Sequence, residues 1–228
     1  MFTSYRFQQF LIIDRLYPTG LDNDLDSMKT FLKSIEKGTL EMIKSDVQKM
    51  EVEMKNDVII DNEIIFSNVD FLDYKSTSSA LNIIYNSTLV SLYSFLETRL
   101  KFLYELLENQ KNIRINKNKG ESNIMFYKRK LEEKYFLDFS SLNAEWEEIC
   151  LHTLLRNTLT HSHIQEQKTD ISDYKKIQSI EHLSTEMNSG ILLFEINDFK
   201  FLYNFFDKIS EILNFICYIK TNAKINDN

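Results

Sequence analysis

A mainly α-helical bundle of four to six helices, decorated with one or two small β-hairpins, is the fold this sequence predicts. Three observations lead there. Gly and Pro are scarce, 4 and 1 among 228 residues, where average usage of ~7% and ~5% would give roughly 16 and 11. Apolar residues recur at spacings of three and four over long stretches, the period of a helix with one buried face. A hydrophobic fraction of 43%, with 17 Phe and 11 Tyr, supports a packed core and not a disordered chain.

The elements follow in order. From about Asp24 to Asn56, Leu25, Met28, Leu32 and Ile35 form one stripe, and Leu40, Ile43, Val47, Met50 and Met54 resume it beyond Gly38, where a bend is expected. Residues 57–67, with Val58-Ile59-Ile60 and Ile64-Ile65-Phe66 around Asp61-Asn62, suit a short hairpin. The clearest helix runs from about Ser76 to Asn109, carrying Tyr85, Leu89, Leu92, Leu96, Leu100, Leu103 and Leu107. The polar, basic stretch Asn109 to Glu121 is a solvated connection. A shorter helix has Ile124, Tyr127, Leu131 and Tyr135 on one face and Lys128, Arg129 and Lys130 on the other.

Asn143 is the expected N-cap of the next helix, its side chain accepting from free first-turn amides. Glu145, Glu147 and Glu148 then lie at the positive end of the helix dipole. This helix is apolar on more than one side (Trp146, Ile149, Leu151, Leu154, Leu155, Leu159) and should be buried between neighbours. Near His161 the pattern dissolves into a polar loop from Ser162 to Lys176. Residues 177–196 hold a second hairpin about Gly190. A last helix opens near Asn197 or Asp198 with Leu202, Phe205, Ile209, Ile212, Ile216 and Ile219. No repeat or linker divides the chain, so residues 1–228 read as one domain with its core from about 24 to 220.

Composition also excludes functions. With so few glycines there is no Gly-rich loop to cradle a nucleotide phosphate, and many-stranded sandwiches and barrels lack their turns. A net charge of −7, from 27 basic and 34 acidic residues, has the wrong sign for coating nucleic acid indiscriminately. Cys150 and Cys217 fall on apolar helix faces and read as buried thiols of a reducing compartment. Met1 to Arg15 lacks the features of a secretory leader, and no stretch approaches the ~20 apolar residues of a membrane span. A cytoplasmic protein without membrane attachment is the expectation.

Chemistry concentrates at the end of the buried fourth helix. Arg156, Asn157 and His161 form the string R-N-x-x-x-H, and His163 follows. In this motif and its setting the chain resembles the HEPN superfamily, whose ribonuclease members carry R-x(4–6)-H, often with Asn or another polar residue after the Arg. That family's core is a bundle of about four helices, with the motif late in the chain and a long helix after it. An earlier helix there commonly reads like Phe95-Leu-Glu-Thr-Arg-Leu-Lys101, where Glu97 matches an acidic position. The resemblance spans roughly Asp24 to Lys220.

The resemblance implies a metal-independent endoribonuclease needing no cofactor, a toxin or defence effector, dimerising through the motif helix so that two Arg-His sets build one cleft. Residue chemistry agrees with that role. Arg presents a planar fork that fits a phosphate. His can take the proton of an RNA 2′-hydroxyl or give one to the leaving 5′-oxygen near neutral pH. The implied products are a 2′,3′-cyclic phosphate and a free 5′-hydroxyl. Asn157 would orient the imidazole or bind a non-bridging oxygen, and His163, at the longer spacing, is the alternative to His161. The implied partners are an RNA substrate such as tRNA or mRNA, a second copy of the chain, and an antitoxin or defence-system protein.

Geometry poses a condition. On a continuous helix Arg156 and His161 point ~140° apart, whereas Asn157 and His161 share a face. The Arg and His meet only if the helix frays after Thr160 or a second chain completes the pair. Plainer readings stand beside the functional ones: Arg156 paired with Glu148 or Glu195, Glu97 paired with Lys101 four residues on, and His152 a satisfied interior residue. His182 falls in a loop with no nameable partner. Lys128, Arg129 and Lys130, and likewise Lys117 and Lys119, are either a solvated face or a guide for RNA. A metal site from His161, His163 and either His152 or Cys150 lacks an evident fourth ligand. The rival function is a non-catalytic HEPN-like dimerisation or interaction module in a defence or toxin–antitoxin system.

Overall fold

The computed structural model describes residues 18–56, 68–108, 116–135, 137–161 and 170–218. Six α-helices and one antiparallel hairpin are found among them: α1 (Pro18–Asn56), α2 (Asn68–Glu108), α3 (Asn123–Tyr135), α4 (Asn143–His161), α5 (Ile171–Gln178), β1 (Leu183–Asn188), β2 (Ile191–Ile196) and α6 (Phe199–Tyr218). The fold is mainly helical with a small hairpin, as the apolar periodicity predicts.

α2 is the axis of the bundle, packing against α1, α3, α4, α6 and β2. The reason is its leucine column: Leu89, Leu92, Leu96, Leu100 and Leu103 are all completely buried. α6 presents the complementary face, with Leu202, Phe205, Ile209, Ile212 and Leu213 equally buried. α1 and α2 run antiparallel, pinned where Arg99 Nη1 meets Asp24 Oδ2 at 2.8 Å. Further along α1, Tyr203 on α6 donates its hydroxyl proton to Glu36 Oε2 at 2.7 Å. Pro18 opens α1, a position where its missing N–H costs nothing.

The described part of α1 is buried unevenly. Leu21, Leu32 and Thr39 are sequestered, whereas Leu40, Val47 and Val52 are about half exposed, at 48%, 47% and 58%. The helix continues through Gly38, where a bend was expected.

Two other expectations need correction. The polar stretch from Ser162 to Lys176 is not all loop, because α5 begins at Ile171. Asp170 caps it by accepting from the Ser172 amide at 2.8 Å, and Lys175 and Lys176 complement its dipole in the last turn. Asn143 is not an extended N-cap: its backbone is helical (φ −61°, ψ −37°), and the chain enters α4 from a 3-10 turn, Ser140–Leu142. The acceptor at this entrance is Asp138, bonded to the Ser140 amide at 2.9 Å. Of the two expected hairpins, the segment 57–67 lies outside the described residues.

The other hairpin is present, its strands paired from Leu183↔Ile196 to Asn188↔Ile191. The two-residue turn places Ser189 at φ 53° and Gly190 at φ 86°, the positive angles that tight hairpin turns require and glycine adopts freely. Leu183, Leu192 and Ile196 turn inward from it. Asp198 starts α6 by accepting from the Lys200 amide at 2.8 Å.

Cys150 and Cys217 are both free thiols, and burial pushes each above the usual thiol range. Among the described residues no helix is long and apolar enough to cross a membrane.

Candidate functional site

The C-terminal half of α4 carries Arg156 and Asn157 to a position between α2 and the start of α3. Arg156 is partly buried, and its guanidinium carbon lies 5.4 Å from the centroid of the Tyr93 ring. Such a cation–aromatic contact holds a guanidinium plane in place without neutralising it. Its Nη1 donates to Asn157 Oδ1 at 3.1 Å, and its Nε is buried with no hydrogen-bond partner among the described residues. Neither Glu148 nor Glu195 pairs with it, so the plain ion-pair reading of this arginine is not realised. A cation held by an aromatic ring and a neutral amide keeps its positive charge uncompensated by these partners.

Tyr93 is the platform. It is 3% exposed on α2; burial above all, with Glu97 nearby, raises its hydroxyl pKa, while the Thr153 and Ser122 side chains act in the lowering direction. Glu97 lies one turn further along α2 and accepts from Asn123 Nδ2 at 2.5 Å. The Asn123 carbonyl oxygen in turn accepts from Lys117 Nζ at 2.6 Å. Lys101, the expected partner of Glu97, reaches Glu105 at 3.7 Å instead. Three helices thus converge on one polar patch holding two cations, Arg156 and Lys117, and one carboxylate, Glu97, already engaged by an amide.

Sequence reasoning named Arg156, Asn157 and Glu97, and Lys117 with Lys119 as a solvated face or a guide for RNA, but missed Tyr93 and Asn123. Tyr93 could have been suspected from its place one turn before Glu97. Asn123 opens a short helix and carries no local signal.

α4 runs unbroken through His161, and the Thr160 hydroxyl donates back to the Arg156 carbonyl at 3.1 Å. The condition that the helix fray before His161 is therefore not met. His161 is the final residue of α4; its side chain, like the whole of His163, lies outside the described residues.

The basic run of α3 is not a solvated face. Lys128 pairs with Glu132 at 2.5 Å and lies over the Phe139 and Trp146 rings. Arg129 forms a two-pronged bridge to Glu121, Nε to Oε1 and Nη2 to Oε2, both at 2.8 Å. That bridge holds the Glu121 carboxyl down to about 2. Lys130 is fully buried, with its ammonium 5.1 Å from the Phe126 ring. All three consolidate the bundle.

Two histidines are accounted for structurally. His152 is 1% exposed on α4, stacked on Phe205 at 4.0 Å and 4°, with Nδ1 bonded to the Glu148 carbonyl at 2.9 Å. Burial lowers its pKa to about 4, so the ring is neutral. His182, without a nameable partner in the sequence, meets Asp198 Oδ2 through Nδ1 at 2.9 Å. Among the described residues no group of three His, Cys, Asp or Glu side chains is arranged to hold a metal ion.

Comparison with protein-family models, curated proteins and solved structures returned no match.

Proposed function

We propose that this chain is a metal-independent endoribonuclease of the HEPN type, acting as a homodimer and serving as a toxin or defence effector. The observation that carries the reading is Arg156: a partly buried cation with no carboxylate partner among the described residues, laid on Tyr93 beside Asn157 within the R-N-x-x-x-H string. Leaving such a charge uncompensated by protein is costly, and an arriving phosphate supplies the missing anion.

The proposed reaction needs only these side chains. His161 takes the proton of the RNA 2′-hydroxyl; the resulting oxygen attacks the adjacent phosphorus and closes a 2′,3′-cyclic phosphate. The 5′-oxygen departs with a proton supplied by a second histidine. Arg156 binds the charge that grows on the non-bridging oxygens. Because Arg156 and His161 of one continuous helix face ~140° apart, the composite site takes its histidines from two copies of α4. Lys117 and Asn123 border the patch where an RNA strand would approach.

The test is incubation of the purified protein in EDTA with total RNA and with tRNA, beside Arg156→Ala and His161→Ala. Cleavage by the wild type alone, leaving cyclic-phosphate ends, is the expected result, with dimer mass and helical content unchanged in both variants. Loss with His163→Ala and not with His161→Ala assigns the base to the longer spacing. No cleavage by a folded dimer overturns the enzymatic reading in favour of an interaction module.

A further inference from the structure

A second site lies on the opposite half of α4. Helices α4, α5 and α6 surround a pocket of about 750 Å³, far from small for a single domain. Leu151 and Phe201 provide apolar lining, and His152 also belongs to the wall. Five carboxylates and two lysines face it. Both lysines are engaged: Lys176 with Glu147, and Lys208 with Glu145 and Glu211. Three carboxylates, Glu148, Glu181 and Asp207, have no ion-pair partner among the described residues.

His152 independently asks for the same kind of ligand. Its Nδ1 faces the Glu148 carbonyl one turn back on its own helix, and a carbonyl can only accept, so Nδ1 carries the proton. Nε2 is then a bare acceptor, on a side chain that stands in the wall of this pocket. This side chain is 1% exposed, and its Nε2 has no hydrogen-bond partner. A buried acceptor without a donor is costly. Walls and base thus offer negative charge and a lone pair, with apolar surface between them, and every lysine of the wall is already engaged.

We propose that this pocket binds a primary alkylammonium, its cation held by Glu148 and Asp207 and its aliphatic stem lying on Leu151 and Phe201. A donor reaching the base of the pocket satisfies His152 Nε2. A free polyamine and the lysine side chain of a partner protein present the same chemistry.

Titration calorimetry of the full chain at physiological salt distinguishes these sources, with spermidine and hexylammonium as free amines and a short lysine-containing peptide as the other arm. Saturable one-site binding is expected in at least one arm. Free-amine binding identifies a polyamine-type ligand, and peptide binding alone identifies a partner's lysine. The double variant Glu148→Gln/Asp207→Asn should weaken the binding about tenfold or more, the effect of losing charged hydrogen bonds, while Asp26→Asn, an exposed acid on α1, leaves it unchanged. Should the double variant fold poorly, Glu181→Gln at the rim gives a smaller loss in the same direction. Absence of binding in every arm, or equal weakening by Asp26→Asn, overturns the assignment, the latter reducing it to diffuse attraction by an acidic surface.

Discussion

Acidification should destabilise this protein through His152 before its carboxylates begin to titrate. The ring is buried against Phe205, and its pKa falls from 6.5 to about 4 because burial outweighs the helping bond to the Glu148 carbonyl. A histidine depressed in the folded state binds fewer protons folded than unfolded. Stability is therefore full above the unfolded value of 6.5 and declines as pH falls towards 4. Between pH 7 and pH 4.5 the linkage amounts to about 2–3 kcal/mol, at ~1.36 kcal/mol per pKa unit. Against a total of roughly 5–15 kcal/mol that is a large fraction. Glu148 works in the opposite sense, since burial raises its pKa and it gains its proton more readily when folded. Comparison with His152→Leu cancels that contribution, because both proteins carry Glu148. Urea unfolding followed by circular dichroism at half-unit steps from pH 7 to 4.5 supplies the two curves. The wild type should lose stability faster than the variant by about 2–3 kcal/mol over this range. Parallel curves would refute the neutral, buried imidazole.

Other perturbations have equally definite outcomes. Glu121→Gln removes the two-pronged bridge to Arg129 and should cost about 1 kcal/mol at neutral pH; the depressed carboxyl makes that benefit present above pH 4.5 and lost as pH falls to about 2, so the two proteins' urea midpoints should converge in acid. Leu96→Ala opens a cavity in the fully buried column of α2, and thermal or urea unfolding should register a loss of about 2–5 kcal/mol. Gly190→Ala forces a side chain into the positive-φ turn, costing about 1 kcal/mol by the same measurement. In the RNA-cleavage assay, Tyr93→Phe keeps the ring beside Arg156 and should retain activity, whereas Tyr93→Leu should lose it several-fold, as expected for a contact of about 1–2 kcal/mol.

Much of this architecture is written in local spacing. The leucines from Leu89 to Leu103 and the α6 series from Leu202 to Ile216 repeat at intervals that only a one-sided helix explains, and both helices are where that pattern predicts. α5 was read as loop despite Asp170 as a cap and Lys175 and Lys176 at its end, because a single fully buried residue, Ile177, leaves it almost no apolar periodicity. The entrance to α4 was misread because Asn143 resembles a cap while the intervening 3-10 turn moves the capping role to Asp138. For the site, Arg156, Asn157 and Glu97 stand out by type and position. What links them does not: Tyr93 and Asn123 are 30 residues apart in the chain, and only the packing of α2 beside α3 makes them neighbours. The burial of Lys130 was hidden for the same reason, since a three-residue basic run looks solvated until its neighbours are placed.

The gradient of burial along α1 has a temporal consequence. After Thr39, no described residue of that helix is fully buried, so its later turns draw little from the core that anchors Leu21 and Leu32. Opening there costs less than unfolding the molecule. In heavy water, the amides from Met42 to Lys49 should acquire deuterium well before those between Leu21 and Ile35, although one helix carries both. The helix is continuous in space and divided in time, with the boundary set near Thr39 where the neighbouring helices cease to cover it.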